Sequence, residues 1–482
     1  MRSTVDDPGA GDGTCSDLVV VLPGVMGSSL VDRSGREVWG LRAGGLLRAL
    51  RTLGGSIKKL ALPRDVGDGP AEDGVRATSL IPGLHMIPGV WSPVEGYAGL
   101  TRFLRHPRFK LVQETDAVAG NLVLFPYDWR LSNRRNAKLL KRTIESALPR
   151  WRESRSDRAE AKVIFIAHSM GGLVTRWYVE QLGGREITRA AVTIGTPHRG
   201  ALKALAQLVN GVDKGLGPLQ IDFTAFTRSL PSVHELLPEY ACIDTPGGLK
   251  KTTEVTVPHL NPEMVRAGMA FHEGLNSGDL DYDLIPIVGI GQPTFSAGRF
   301  AGERLESSRL LAGVEPGGDG TVPRVAARPF QMKERNPAIR GVGEGHGALA
   351  ATKAVLDQLD LLLTAEETVY RLAAPKKDRT ERGIVGVETA DVHFPGEPVK
   401  VRVHADPQAL EVAAVEDGSH TETKEIVRFG KQRDEEGRAI GEALLEGLAP
   451  GAYRLIGRAP EDPGGLRVTP VHAATLVCEG WA

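Results

Sequence analysis

Cysteine is almost missing from this chain: three residues in 482, Cys15, Cys242 and Cys478, lying far apart. So sparse and odd a set is neither a disulfide framework nor a metal-ligand spacing, and no cofactor or metal is expected. Long apolar runs are missing too. No stretch of about 18 uninterrupted apolar residues occurs, which argues against a membrane-spanning helix. Neither charge sign is in excess, with 59 Lys and Arg against 60 Asp and Glu. Nothing therefore points to nucleic acid as a partner. Residues 1–17, MRSTVDDPGAGDGTCSD, lack the basic start and long apolar core of a secretory signal. They read as a disordered leader on a cytoplasmic protein.

What is present is the composition of a globular protein, 41% hydrophobic and 25% charged, at a length that suits two or three domains. Short apolar runs recur at 18–22, 121–125, 163–167, 190–194 and 285–290. They lack polar alternation, as strands covered on both faces do. Helical spacing at 136–148 and 173–182 falls between them, so a doubly wound, mostly parallel α/β sheet is expected over 18–372. Two intervals, 33–93 and 201–283, are too long for simple crossovers and read as a lid region and a cap insertion. After an apolar helix at 348–364, the charged, breaker-rich stretch around 373–386 reads as a linker. Beyond it, VKVRVHA (399–405) alternates apolar with polar residues, and further strand-like runs follow at 410–416, 453–459 and 472–479. A β-sandwich of immunoglobulin-like type is expected over 387–482.

The sharpest chemical signal is VIFIAHSMGGL at 163–173, a strand running into a turn and then a helix. A nucleophile elbow needs small residues two before and two after its serine, because larger ones would clash in the tight turn. Ala167 and Gly171 flank Ser169 in that way. Serine is a weak nucleophile at neutral pH, so a base and an orienting acid must exist. In this fold they follow in the order acid, then histidine. GGDGTVP (317–323) offers Asp319, and GEGHGAL (343–349) offers His346. Met170 and Val25 are the expected backbone donors to an oxyanion, Val25 in the Gly-rich segment LPGVMGSSL (22–30) after the first strand. Other residues fit worse. His168 abuts the nucleophile and reads as packing support, and His198 as shaping the pocket. Asp279, Asp281 and Asp283 precede the fifth strand, at its wrong end. Cys242 has no activating context.

These motifs resemble the lecithin:cholesterol acyltransferase family, which includes lysosomal phospholipase A2 and related bacterial lipases. The matching segments are LPGVMGSSL, FPYDWRLSN (125–133), AHSMGG, IGTPHRGA (194–201), RSLPSVHELLP (228–238), DGTVP and GHGAL, spread over about 18–364. The resemblance implies Ser169, Asp319 and His346 as a triad, Val25 and Met170 as oxyanion donors, and Asp128 as a structural carboxylate paired with an arginine or backbone amides. It implies a lipase, phospholipase or O-acyltransferase acting on lipid or other acyl esters. The chain departs from the family in lacking a signal peptide and a lid cysteine pair, and in its extra C-terminal region.

The segment 41–62 carries leucines near one helical face and basic residues largely opposite. It reads as a lid helix or as a peripheral membrane contact. Against the esterase reading stand a catalytically retired hydrolase that binds a partner through its C-terminal region, and a non-lipid esterase or thioesterase.

Overall fold

The computed structural model describes residues 15–40, 60–63, 66–83, 96–216, 219–364, 385–393, 396–405, 410–417, 419, 421–434, 437–459 and 471–477. Its centre is a six-stranded sheet of β1 (Leu18–Leu22), β2 (Leu122–Leu124), β3 (Val163–His168), β4 (Thr188–Ile194), β5 (Leu284–Gly289) and β6 (Arg340–Val342). The spatial order is β6-β5-β4-β3-β1-β2, and every pair is parallel. The continuous apolar runs have a direct cause. Alternate side chains point to opposite faces, and both faces are covered. Leu18, Val20, Phe165 and Ala167 pack beneath α1 (Asn133–Glu153) and α2 (Met170–Gln181). Val19, Val21, Ile164 and Ile166 pack with the helix Ala98–Leu104 and with α3 (Lys353–Thr364). This is the α/β-hydrolase-like parallel sheet.

The strand order reverses between β1 and β3. The chain leaves β1 for β2 on one side, then returns to place β3 on the other. Loops leaving the carboxyl ends of β1 and β3 therefore diverge and leave a crevice, the usual ligand site of such sheets.

Part of the 33–93 interval forms a small sheet of Ser28–Val31, Glu37–Trp39 and Arg76–Leu80. Residues 41–59 of the amphipathic segment lie outside the described residues. Its end does not, and Leu60 and Leu62 are buried against the main apolar core. The 201–283 interval contains Leu202–Asn210, several short elements and the helix Pro262–Asn276. A hairpin of Ala297–Ala301 and Arg304–Ser308 extends a sheet begun within that interval at Ile243–Thr245.

The C-terminal region is all β. Strands β7 (Gly386–Thr389), β9 (Val399–Ala405), β12 (Arg428–Arg433) and β13 (Ala439–Leu445) form one sheet in the order β7-β9-β13-β12. Strands β8 (Val392–His393), β10 (Glu411–Glu416), β11 (Glu422–Ile426), β14 (Gly451–Arg458) and β15 (Val471–Val477) form the other, in the order β8-β15-β14-β10-β11. Val401, Val403, Val412 and Leu455 share one core between the sheets. Strand β7 begins at the last residue of the expected linker, whose earlier part lies outside the described residues. Residues 1–14 of the expected leader do so too.

One buried ion pair ties the small sheet to the main one. Asp128 accepts from Arg130 Nε at 2.9 Å and Nη2 at 2.7 Å, while Arg130 Nη1 donates to Asp73 at 2.7 Å and to the Leu60 carbonyl at 3.1 Å. The Arg130 side chain is fully buried. Removing Asp128 leaves the buried guanidinium with only the partly exposed Asp73 as counter-charge, and breaking such a buried pair typically costs about 3–5 kcal/mol. Asp128→Ala is therefore expected to lower unfolding free energy by about 3 kcal/mol in urea denaturation.

Candidate active site

Ser169 lies between β3 and α2 with φ 51° and ψ −124°, a backbone conformation rare for a residue with a side chain. Its surroundings hold it there. The Ser169 N–H donates to the Ile194 carbonyl at 2.8 Å, and its carbonyl accepts from Thr196 Oγ1 at 2.9 Å. Two residues on, a Cβ at Gly171 would lie 2.5 Å from the Pro23 carbonyl oxygen. Only glycine lets the first turn of α2 pass beneath the loop after β1. The glycines at 171 and 172 belong to the helix, which starts at Met170 rather than at the 173 that apolar spacing suggested.

The loops after β5 and β6 bring the other two candidates to this serine. Asp319 follows the hairpin after β5, and His346 follows β6. His346 Nε2 is 2.9 Å from Ser169 Oγ, and His346 Nδ1 is 2.7 Å from Asp319 Oδ2. A carboxylate can only accept, so Nδ1 carries the proton and Nε2 is left to accept from the serine hydroxyl. The carboxylate is held in turn, with Oδ1 accepting from the N–H groups of Thr321 at 2.9 Å and Val322 at 2.7 Å. The two loops also pair directly, His346 N–H donating to the Asp319 carbonyl at 2.8 Å. All three residues are buried.

The segment 22–30 closes over the serine. A Cβ on Gly24 would stand 2.9 Å from Ser169 Cβ and 3.4 Å from its Oγ, which measures how near this loop comes. The Gly24 N–H is already engaged, donating to Tyr97 Oη at 2.7 Å. Val25 is the next amide along, and Met170 opens α2, where intrahelical acceptors are lacking. The aromatic block at Tyr127 and Trp129 builds this loop rather than the chemistry. Tyr127 Oη donates to the Pro23 carbonyl at 2.7 Å, Tyr127 N–H donates to Ser28 Oγ at 3.1 Å, and Trp129 Nε1 donates to the Ser28 carbonyl at 3.3 Å.

His168 does more than pack. Its Nε2 is 3.1 Å from the His346 carbonyl, and its Nδ1 is 2.9 Å from Tyr97 Oη. The carbonyl only accepts, so Nε2 is protonated and Nδ1 takes the Tyr97 proton. A directional chain results, from Gly24 N–H to Tyr97 to His168 to the backbone of His346. It joins the loop over the serine to the loop bearing the candidate base. Burial pushes the Tyr97 hydroxyl well above its ordinary pKa, so it remains a donor. Sequence alone gives no sign of Tyr97, which lies in a polar-apolar mixture far from any motif.

The remaining candidates lie elsewhere. His198 was expected to shape the pocket, but it is buried with Nε2 2.9 Å from Thr193 Oγ1 and Nδ1 3.4 Å from Arg176 Nη1. Burial, with the Arg176 charge second, drives its pKa well below the ordinary value, so it is a neutral packing residue. Asp281 pairs with Arg185 at 2.6 Å, and Asp283 marks the amino end of β5, opposite the site. Cys242 is buried, and burial pushes its thiol up to about 12, where it is not a nucleophile at neutral pH.

Residues 109–264 match the family model described as lecithin:cholesterol acyltransferase. No curated protein matches the chain. Among solved structures the chain is similar to the Tle4–Tli4 complex at 15% identity, covering 74% of this chain and 98% of that one with a TM-score of 0.46. It is also similar to the mature form of the Bacillus licheniformis lipase BlEst2, at 13% identity, 74% and 96% coverage and a TM-score of 0.32. Phospholipase PlaB from Legionella pneumophila follows at 12% identity, 82% and 88% coverage and a TM-score of 0.24. Similarity at this level says nothing of substrate.

Tyr97→Phe would leave the Gly24 amide and His168 Nδ1 without their partner in a dry interior. A loss of about 1–3 kcal/mol in stability is expected by thermal or urea denaturation, the cost of stranded buried polar groups.

Proposed function

We propose that this LCAT-like α/β-hydrolase cleaves or transfers acyl esters, with lipid esters as its substrate class, through a covalent serine intermediate. Ser169 acts as nucleophile, His346 as base and Asp319 as the acid that orients and stabilises the imidazolium. The observation that carries the reading is the continuous Ser169–His346–Asp319 hydrogen-bonded line, at 2.9 and 2.7 Å, among three buried residues.

The chemistry follows from the geometry. His346 Nε2 takes the Ser169 Oγ proton as the oxygen attacks the acyl carbonyl. The N–H groups of Val25 and Met170 receive the developing negative charge, assisted by the amino end of α2. The imidazolium, held by Asp319, returns its proton to the departing alcohol, leaving the acyl group on Ser169. Water then enters with His346 again as base and releases a fatty acid. If another hydroxyl enters instead, the acyl group is transferred. The family match over 109–264 supports lipid as substrate. We read residues 18–372 as the hydrolase domain and 387–482 as an immunoglobulin-like sandwich, a reading supported by two largely antiparallel sheets around one core.

Ser169→Ala is expected to abolish labelling by a fluorophosphonate and to lower ester hydrolysis about a thousandfold or more, with the fold retained. Mixed phospholipid and acylglycerol vesicles, incubated with wild type and the variant with and without an added long-chain alcohol, report the donor and the acceptor. Undiminished hydrolysis by the variant would sink the assignment. Cleavage of acyl thioesters but not oxygen esters would move the substrate class and leave the residues in place.

A further inference from the structure

The C-terminal β region bears directly on the loops that carry the acid and the base. Glu344 lies two residues before His346 and is 3% exposed. It accepts a hydrogen bond from the backbone N–H of His472 in β15, and its Oε2 is 3.1 Å from His472 Nδ1. Since a carboxylate only accepts, that ring nitrogen carries a proton. The approach is close. A Cβ at Gly345 would stand 2.6 Å from the His472 carbonyl oxygen, so the residue between Glu344 and His346 has to be glycine for the loop to reach β15.

Gln292 does the corresponding work on the acid side. Its side-chain Nε2 donates to the Val385 carbonyl at 3.1 Å, and its Oε1 accepts from the Val387 N–H at 2.9 Å. One amide side chain thus pairs with the start of β7 as a neighbouring strand would. The Gln292 backbone N–H donates to the Gly318 carbonyl at 3.0 Å, immediately before Asp319. Immediately after it, the Gly320 N–H donates to Thr294 Oγ1 at 2.8 Å. Both residues flanking Asp319 are therefore fastened to the segment that grips the β region. Between these two fastenings lies a cavity of about 210 Å³, lined by Asp319 and His346 on one side and by Val387, Thr389 and His472 on the other.

Buried polar contacts of this kind add little net stability, because each group gives up hydration to form them. Their effect is to fix geometry, since a satisfied buried network has one arrangement. We propose that the C-terminal β region is a positioning element of the active site. Through Glu344–His472 and Gln292–Val385/Val387 it holds the His346 and Asp319 loops in register with Ser169. This rests on the triad reading above. In this role Glu344 and Gln292 act through the loops beside them. A displacement of about 1 Å at a reacting group can cost about a hundredfold in rate.

The test uses the full chain and a soluble short-chain p-nitrophenyl ester, with kcat and KM measured beside thermal midpoint and fluorophosphonate labelling rate. Glu344→Ala and His472→Ala are each expected to lower kcat about ten- to a hundredfold, with KM within about twofold and labelling slowed in parallel. Glu344→Ala removes both hydrogen bonds, whereas His472→Ala removes the ring contact and keeps the backbone donor, so the double variant should be no worse than Glu344→Ala alone. His472→Asn, whose amide nitrogen occupies the place of Nδ1, should recover most of the loss. Arg309→Ala removes an ion pair to Glu388 at 2.8 Å along the same seam, a pair that includes neither Glu344 nor Gln292. It should move the thermal midpoint and leave kcat within twofold. If Glu344→Ala does not fold, His472→Ala, on a partly exposed side chain, carries the comparison for the ring contact. The proposal is overturned if His472→Ala keeps kcat within twofold, if activity falls only in step with folded protein, or if Arg309→Ala lowers kcat as much. An active Ser169→Ala would instead overturn the triad reading, so the two failures are distinguishable.

Discussion

A serine at φ 51° and ψ −124° is held against its own backbone preference, and the cost, about 1–3 kcal/mol for a residue with a side chain, has to be met by its surroundings. Here the opposing forces are specific. The Ile194 carbonyl holds the Ser169 amide, Thr196 holds its carbonyl, and Gly171 lets the chain slide under Pro23. The same turn lifts the hydroxyl above the sheet and points the amino end of α2 at the space in front of it. Position and electrostatics thus come from one local constraint.

That constraint has meaning only because of strand order. The reversal between β1 and β3 sets the loop after β1 beside Ser169, while the loops after β5 and β6 bring Asp319 and His346 to it from one side. The aromatic block after β2 then fastens the loop after β1 by three hydrogen bonds, from Tyr127 and Trp129. Tyr97 and His168 join that loop to the backbone of His346. The proposed reacting groups are few, and most of the buried polar groups around them hold loops rather than substrate.

Sequence reveals such a site unevenly, for physical reasons. Strands buried on both faces announce themselves as unbroken apolar runs, so β1, β3, β4 and β5 were legible within a residue or two. The elbow is local as well, a small–His–Ser–Met–Gly turn between strand and helix. Asp319 and His346 stood out through glycine-rich loops in a fixed order. What stayed hidden depends on contacts across the chain. Nothing near Tyr97 marks it as the partner of Gly24, and Glu344 looks like a solvated residue among glycines until β15 is placed against it. His198, in a motif that suggests a pocket, turns inward to Arg176. Strands β11 and β12, reading ETKEI and RFGKQR, are polar and largely exposed, so no apolar period betrays them.

The linkage of His472 to Glu344 also bears on how activity arises as the chain is made. Domains form in order from the amino end during synthesis. The elbow at Ser169 and the loop from β1 belong to the early part of the chain, whereas Asp319, His346 and then β15 come progressively later. On the proposed roles, a ribosome-bound chain would own a folded sheet and an exposed nucleophile while its base still lacked a brace. Hydrolysis would reach its full rate only once these strands had closed on the loop. For the proposed lipid-ester hydrolase, the order of translation would thus delay full activity until the brace on its base is in place.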